Sequence, residues 1–278
     1  MKIIYLVVGY LIFLGLIGFT SCDIIKKKQF PSPPGYDFNK GKKLTLVNKL
    51  EEISGIAFVP GQDSLLMAIN DEEGKIYRVN IKEPKQAFEP LKFAKAGDYE
   101  DIAFAGGKWL VLQSNGAIYL VDLEVNDGKK AEAVKILPKG EYEGMASVED
   151  KLFVICKECP DNKDTEAAIY TISAANDSLV IEKIQMIDFG ELIDGKNKKF
   201  LASALGKHPI TGDWFILSHL KNSLVIADEN FKVKLLIPLK RSQFAQPEGI
   251  AFAPNGDLFI SSEGDENAGY IMRFNFQK

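Results

Sequence analysis

Apolar and polar positions alternate in short runs along most of the chain. Lys75-Ile76-Tyr77-Arg78-Val79 and Ala117-Ile118-Tyr119-Leu120-Val121 have the period of two that sends successive side chains to opposite faces of a strand. Ahead of them in each stretch stands a continuous apolar run: Leu65-Leu66-Met67-Ala68, Trp109-Leu110-Val111-Leu112, Leu152-Phe153-Val154-Ile155, Trp214-Phe215-Ile216-Leu217 and Leu258-Phe259-Ile260. These runs lack helical spacing and are bounded by turn residues, so they read as strands. Helix has almost no candidates, and the pattern is all-β.

The strands recur in units. Ser54-Gly55-Ile56-Ala57-Phe58 aligns with Glu100-Asp101-Ile102-Ala103-Phe104, Glu143-Gly144-Met145-Ala146, Ser203-Ala204-Leu205-Gly206 and Glu248-Gly249-Ile250-Ala251-Phe252. The second position falls at 55, 101, 144, 204 and 249, giving intervals of 46, 43, 60 and 45. Polar insertions at Asp161-Asn162-Lys163-Asp164 and at residues 194–199 account for the long one. Each unit carries the short first strand, the apolar run, an alternating strand and a more polar fourth. A four-stranded repeat of this length is the mark of a β-propeller blade. The last unit is one strand short, and Lys43-Leu44-Thr45-Leu46-Val47 belongs to no other blade. It is expected to supply the missing outer strand and close the ring. The count is then five blades in a single domain over residues 43–278, or six if 187–200 hides a degenerate blade, against which its Gly and Lys content argues.

Ahead of the repeats, Met1 and Lys2 precede a run that is apolar from Ile3 to Phe19 apart from Tyr and Gly, followed by Thr20-Ser21-Cys22. A signal peptide over 1–21 is expected; an uncleaved membrane anchor is the alternative. Phe19-Thr20-Ser21-Cys22 resembles a bacterial lipobox, which implies lipidation of Cys22 by a diacylglyceryl thioether. The chain would then be exported and held by its lipid to a membrane of the bacterial envelope, the outer membrane in a Gram-negative cell. Residues 22–42, with Lys26-Lys27-Lys28 and Pro31, Pro33 and Pro34, read as a tether with little to bury.

Charge narrows the partners. Lys plus Arg number 34 against 38 Asp plus Glu, a net of −4, which gives no strong attraction for phosphate backbones, and no nucleic-acid partner is expected. A monomer is expected, with an unidentified protein or small molecule as ligand. The acids are distributed with the repeat. The first strand of a propeller blade lines the axis, and Glu52, Glu100 with Asp101, Glu143 and Glu248 stand just before or within it. A second polar set follows the apolar runs: Asn70-Asp71-Glu72, Gln113-Ser114-Asn115, Lys157-Glu158, Ser218-His219 and Glu263. Carboxylates gathered in one cavity must protonate, pair with a cation of the chain or bind a metal ion. Oxygen-only ligation by Glu52, Glu100, Asp101, Glu143, Glu248 and Glu263 suits Ca²⁺. The same acids could instead accept backbone N–H bonds and pin neighbouring blades. Both roles are open at this level, with Glu100, Glu143 and Glu248 the leading functional candidates; Asp71, Lys157, Glu158 and His219 complete the cleft.

Cys156-Lys157-Glu158-Cys159 ends a strand and lacks the helix N-terminus that lowers a redox thiol's pKa, so a local disulfide is expected. His219 could act as a general base in the cleft, with a structural role as its alternative; His208, beside Pro209 in a turn, has the weaker claim. No Gly-x-Ser-x-Gly elbow, phosphate loop or spaced metal-ligand motif occurs.

Glu-Ile-Ser-Gly-Ile-Ala-Phe at 52–58, Tyr-Glu-Asp-Ile-Ala at 99–103, Tyr-Glu-Gly-Met-Ala at 142–146 with Lys157-Glu158 after it, and Pro-Glu-Gly-Ile-Ala at 247–251 with Ser262-Glu263 after it are similar, in kind and order, to the SdiA-regulated (YjiK- or CarP-like) family of exported bacterial propellers. The resemblance implies an envelope location and, in one branch, a link to calcium response; phytases and lactonases are more distant propeller relatives. The expected function is a non-enzymatic Ca²⁺-binding or interaction module. The alternative is a metal-assisted hydrolase of a phosphoester or lactone, for which Lys157 is the one cation this reading places near the ring.

Overall fold

The structure is a computed structural model, described over residues 30–47, 50–86, 88–123, 130–175, 178–193, 199–264 and 268–277. The signal segment, Cys22 and the lysine run lie outside the described residues. Five four-stranded antiparallel sheets stand around an axis, as the repeat predicts. Their inner strands are Ile53–Phe58, Tyr99–Ala105, Glu141–Val148, Ala204–Lys207 and Gln246–Phe252. The second strands, such as Lys108–Gln113 and Trp214–Ser218, are sandwiched between neighbouring blades and buried on both faces. That explains their unbroken apolar runs. The fourth strands are outer edges, and that of blade 3, Ser178–Asp188, is mostly exposed.

The ring closes as expected. Lys42–Thr45 pairs antiparallel with Tyr270–Phe274 and becomes the fourth strand of blade 5, so one sheet joins both ends of the domain. The closure removes an open strand edge that would otherwise template other chains. The long interval between blades 3 and 4 holds no sixth blade among the described residues. The last strand of blade 3 ends at Asp188, and Phe189 stacks on Phe200 at 4.0 Å across the insertion.

Part of the segment read as tether is seated on the ring. Phe38 is 1% exposed, packed between Phe244 and Phe274, and the Tyr36 hydroxyl donates to the Gly256 carbonyl at 2.6 Å. Burying a phenylalanine is worth about 1.5–3 kcal/mol, so residues near 36–41 act as a clasp over the joint of blades 4 and 5. Composition concealed this, because two aromatic anchors sit among prolines and polar residues. Five apolar clusters fill the spaces between adjacent blades. Among the described residues no helix is long and apolar enough to cross a membrane.

Candidate functional site

Near the start of four inner strands the pairing slips. The shift falls between Tyr99 and Asp101, between Tyr142 and Gly144, and between Pro247 and Gly249, leaving Glu100, Glu143 and Glu248 as the extra residue in each. In blade 1 it spans Ser54 and Gly55. A bulge breaks the strict alternation of a strand and re-aims one side chain, and here it delivers a residue of four blades to the axis. Ser54, Glu100, Glu143 and Glu248 all line one cavity of about 270 Å³ at that end of the ring.

The glycine of the repeat motif has a separate cause. A Cβ on Gly249 would stand 2.4 Å from the Ser54 carbonyl oxygen, and one on Gly55 would stand 2.5 Å from Asp101 Cα. The inner strands approach backbone to backbone there, and a side chain has no room.

The cavity is acidic. Blade 2 adds Asp98, blade 3 Glu141, blade 1 Asp71 and blade 5 Glu263, so that among the described residues seven carboxylates line the cavity and Lys157 is the one cationic lining residue. Lys157 Nζ donates to Glu143 Oε1. Glu143 is 7% exposed, and its other oxygen, Oε2, is buried with no hydrogen-bond partner; Asp71 Oδ1 is likewise unpartnered. Burial, joined by the neighbouring acids, raises Asp71 to about 6, Glu263 to about 8 and Glu100 to about 9. Burial also raises Glu143, to about 7, against the opposing pull of Lys157. His219 enters from blade 4 just past the second strand, its Nδ1 3.1 Å from Glu248 Oε1, and that carboxylate raises the imidazole pKa despite burial. Among the described residues two groups of three could hold an ion: Glu143 with His219 and Glu248, and Glu52 with Asp71 and Glu263, each offering donor atoms within 4.8 Å of one another.

Two acids from the motif are used otherwise. Asp101 is 2% exposed and accepts N–H bonds from Ile102 at 2.8 Å and, across the blade boundary, from Met145 at 2.7 Å. It is a pin between blades 2 and 3. Ser203 and Ser261 do similar work, each donating to a carbonyl of the next blade, Pro247 and Ser54 respectively. Glu158 pairs with Lys199 outside the cavity lining. Cys156 and Cys159 form a disulfide that brackets Lys157 at the end of the second strand of blade 3, Lys151–Glu158. His208 packs among Tyr36, Phe215, Phe252 and Phe276, with Nδ1 accepting from the Ile210 and Thr211 amides, in a turn remote from the acids.

The motifs that build this cavity fall within a match to the SdiA-regulated family model over residues 33–270. The chain belongs to the SdiA-regulated family. No curated protein matches it. Among solved structures, this SdiA-regulated propeller is similar to the glutaminyl cyclase of Myxococcus xanthus, with 12% identity, a TM-score of 0.57 and coverage of 85% of this chain and 96% of that one. It is also similar to a luciferin-regenerating enzyme at 9% identity and TM-score 0.51, covering 84% and 95%. A PQQ-bound aldose sugar dehydrogenase of Streptomyces coelicolor gives 13% identity and TM-score 0.50, covering 88% and 99%. At such identities the likeness is one of fold.

Sequence reasoning missed two lining acids of this family member, Asp98 and Glu141. A signal was there: Asp98-Tyr99-Glu100 and Glu141-Tyr142-Glu143 repeat an acid-Tyr-acid triplet. The tyrosines are buried, and their hydroxyls donate to the Lys95 and Pro138 carbonyls at 2.9 Å in both blades, fixing the loop that presents each pair of acids.

Proposed function

We propose that the protein is an exported, lipid-anchored propeller whose axial cavity binds Ca²⁺, serving the bacterial envelope as a binding or interaction module rather than as a catalyst. One observation carries the reading: among the described residues, seven carboxylates and a single ammonium line a cavity of about 270 Å³. Such a site is under strain from its own charge and is relieved by a bound cation. Glu52, Asp71 and Glu263 offer only oxygen, the donor set of a hard ion that keeps several waters. Asp71 Oδ1, buried without a partner, supplies a ready ligand.

A metal-assisted hydrolase is the second reading, favoured by the His219–Glu248 pair as a candidate base. It ranks lower because Lys157 is committed to Glu143, and the remaining charge of the cavity repels a phosphate.

Calorimetric titration with Ca²⁺ tests the principal reading. Saturable binding is expected in the native protein and is lost in Asp71→Asn and Glu263→Gln. Equal affinity in the native protein and both variants would overturn it. The anchor rests on the sequence around Cys22 and is tested separately, since Cys22→Ala should move the protein from the membrane fraction to the soluble one.

A further inference from the structure

We propose that the cavity holds a second, chemically distinct metal site, in which Glu143, His219 and Glu248 bind a divalent transition ion of the Zn²⁺ class. The proposal differs from the Ca²⁺ reading in residues, blades and donor chemistry. The oxygen-only trio spans blades 1 and 5, whereas this one joins blades 3, 4 and 5. Imidazole nitrogen is a poor donor for Ca²⁺ and a preferred one for zinc and its neighbours.

One pair of donors already stands at coordination spacing, with the third within reach of a small side-chain shift. Two donors, each about 2.0–2.1 Å from one zinc ion, stand about 3.0–3.4 Å apart. His219 Nδ1 and Glu248 Oε1 are 3.1 Å apart, and all three residues offer donor atoms within 4.8 Å of one another. The independent pointer is Glu143. This side chain lines the cavity at 7% exposure, and its Oε2 is buried without a hydrogen-bond partner while Oε1 is held by Lys157. Leaving a buried carboxylate oxygen unpaired costs at least as much as a lost hydrogen bond, and a metal ion removes that cost. Lys157, a strand residue next to the Cys156–Cys159 disulfide, holds Oε1 of Glu143 and leaves Oε2 as the donor without a partner. Three protein ligands leave a fourth position open toward the cavity.

The local fold supplies these groups by two different devices. Glu143 and Glu248 are bulge residues of their inner strands. His219 follows the second strand of blade 4, whose inner strand carries no acid and so leaves space for a longer side chain from behind.

The test is titration of the purified full chain with Zn²⁺ by calorimetry, with and without excess Ca²⁺, and with Co²⁺ followed by visible absorption. One ion per chain is expected, with Co²⁺ bands of a nitrogen-containing site that change in His219→Gln. His219→Gln and Glu143→Gln should abolish saturable Zn²⁺ binding, and Glu52→Gln should retain it. Melting curves of the metal-free variants that overlay the native curve establish that lost binding is not lost folding; Glu248→Gln stands in for any variant that fails this check. Unchanged Zn²⁺ affinity in His219→Gln and Glu143→Gln, or loss in Glu52→Gln alone, would overturn the proposal. Failure of the Ca²⁺ reading looks different: Zn²⁺ binds through His219 while Ca²⁺ gives no heat. The converse, Ca²⁺ bound through Asp71 and no Zn²⁺ response, defeats this inference and leaves the other intact.

Discussion

Adjacent carboxylates of one inner strand are put to two different uses, decided by which way each side chain leaves the strand. Asp101 turns into the wall, where Ile102 and Met145 satisfy both its oxygens; Glu100, one residue earlier, turns into the cavity, and its pKa is pushed up to about 9. Opposite outcomes follow for their neutral variants. Asp101→Ala orphans two buried N–H groups at about 1–3 kcal/mol each, which denaturant unfolding should register as a clear loss of stability. Glu100→Gln imitates the protonated form and should leave the metal-free protein as stable as the native or more so at pH 8. The pH dependence has a fixed sign. Asp71, Glu143, Glu263 and Glu100 have folded-state pKa values raised to about 6, 7, 8 and 9. The folded protein therefore holds protons that the unfolded chain releases near pH 4–4.5. Their stabilisation is complete below that range and is lost as pH rises through 6 to 9. Without a cation the protein should melt lower at pH 9 than at pH 5, and Ca²⁺ should raise the melting temperature more at the higher pH. The acidity of the axis was legible in the sequence, because the acids recur at one place in the repeat. Which of Glu100 and Asp101 faces the cavity was not, because the bulge between Tyr99 and Asp101 shifts the register from which the face is read.

Among elements, the inner strand carries most of the design. Its motif combines a bulge residue for the cavity, a small residue where backbones meet, and apolar residues for the spaces between blades. Gly249→Ala would bring a Cβ within 2.4 Å of the Ser54 carbonyl oxygen and 2.3 Å of Ser261 Oγ. A cost of about 1–3 kcal/mol from overpacking is expected, and thermal unfolding of that single variant measures it. The strand count, the four-strand unit and the closing role of Lys42–Thr45 could all be read from periodicity, since each blade repeats the same apolar run. The clasp at Tyr36 and Phe38 could not, because its meaning lies in long-range contacts with Phe244, Phe274 and Gly256 that no local pattern reports. Blade 4 was legible through the same recurrence: Ser203 stands where the other blades carry an acid, and His219, in the polar set that follows the apolar runs, stands beside Glu248.

On the scale of the whole molecule, the ring has two unlike ends. One collects seven carboxylates, while the other opens between the Phe58, Phe104 and Phe252 side chains at the far ends of the same inner strands. Blade closure by the N-terminal strand and the clasp hold the four acid-bearing blades in one fixed arrangement, so charge repulsion at the axis is opposed by packing at the rim. A cation in the cavity would relieve that repulsion without any change of fold. The most direct test is a crystal structure grown with calcium at pH 8, with the metal located by its anomalous signal. An ion is expected at the axial cavity with oxygens of Glu52, Asp71 and Glu263 at about 2.3–2.6 Å. Calcium confined to the outer surface, with the cavity carboxylates paired only to Lys157 and to each other, would contradict it.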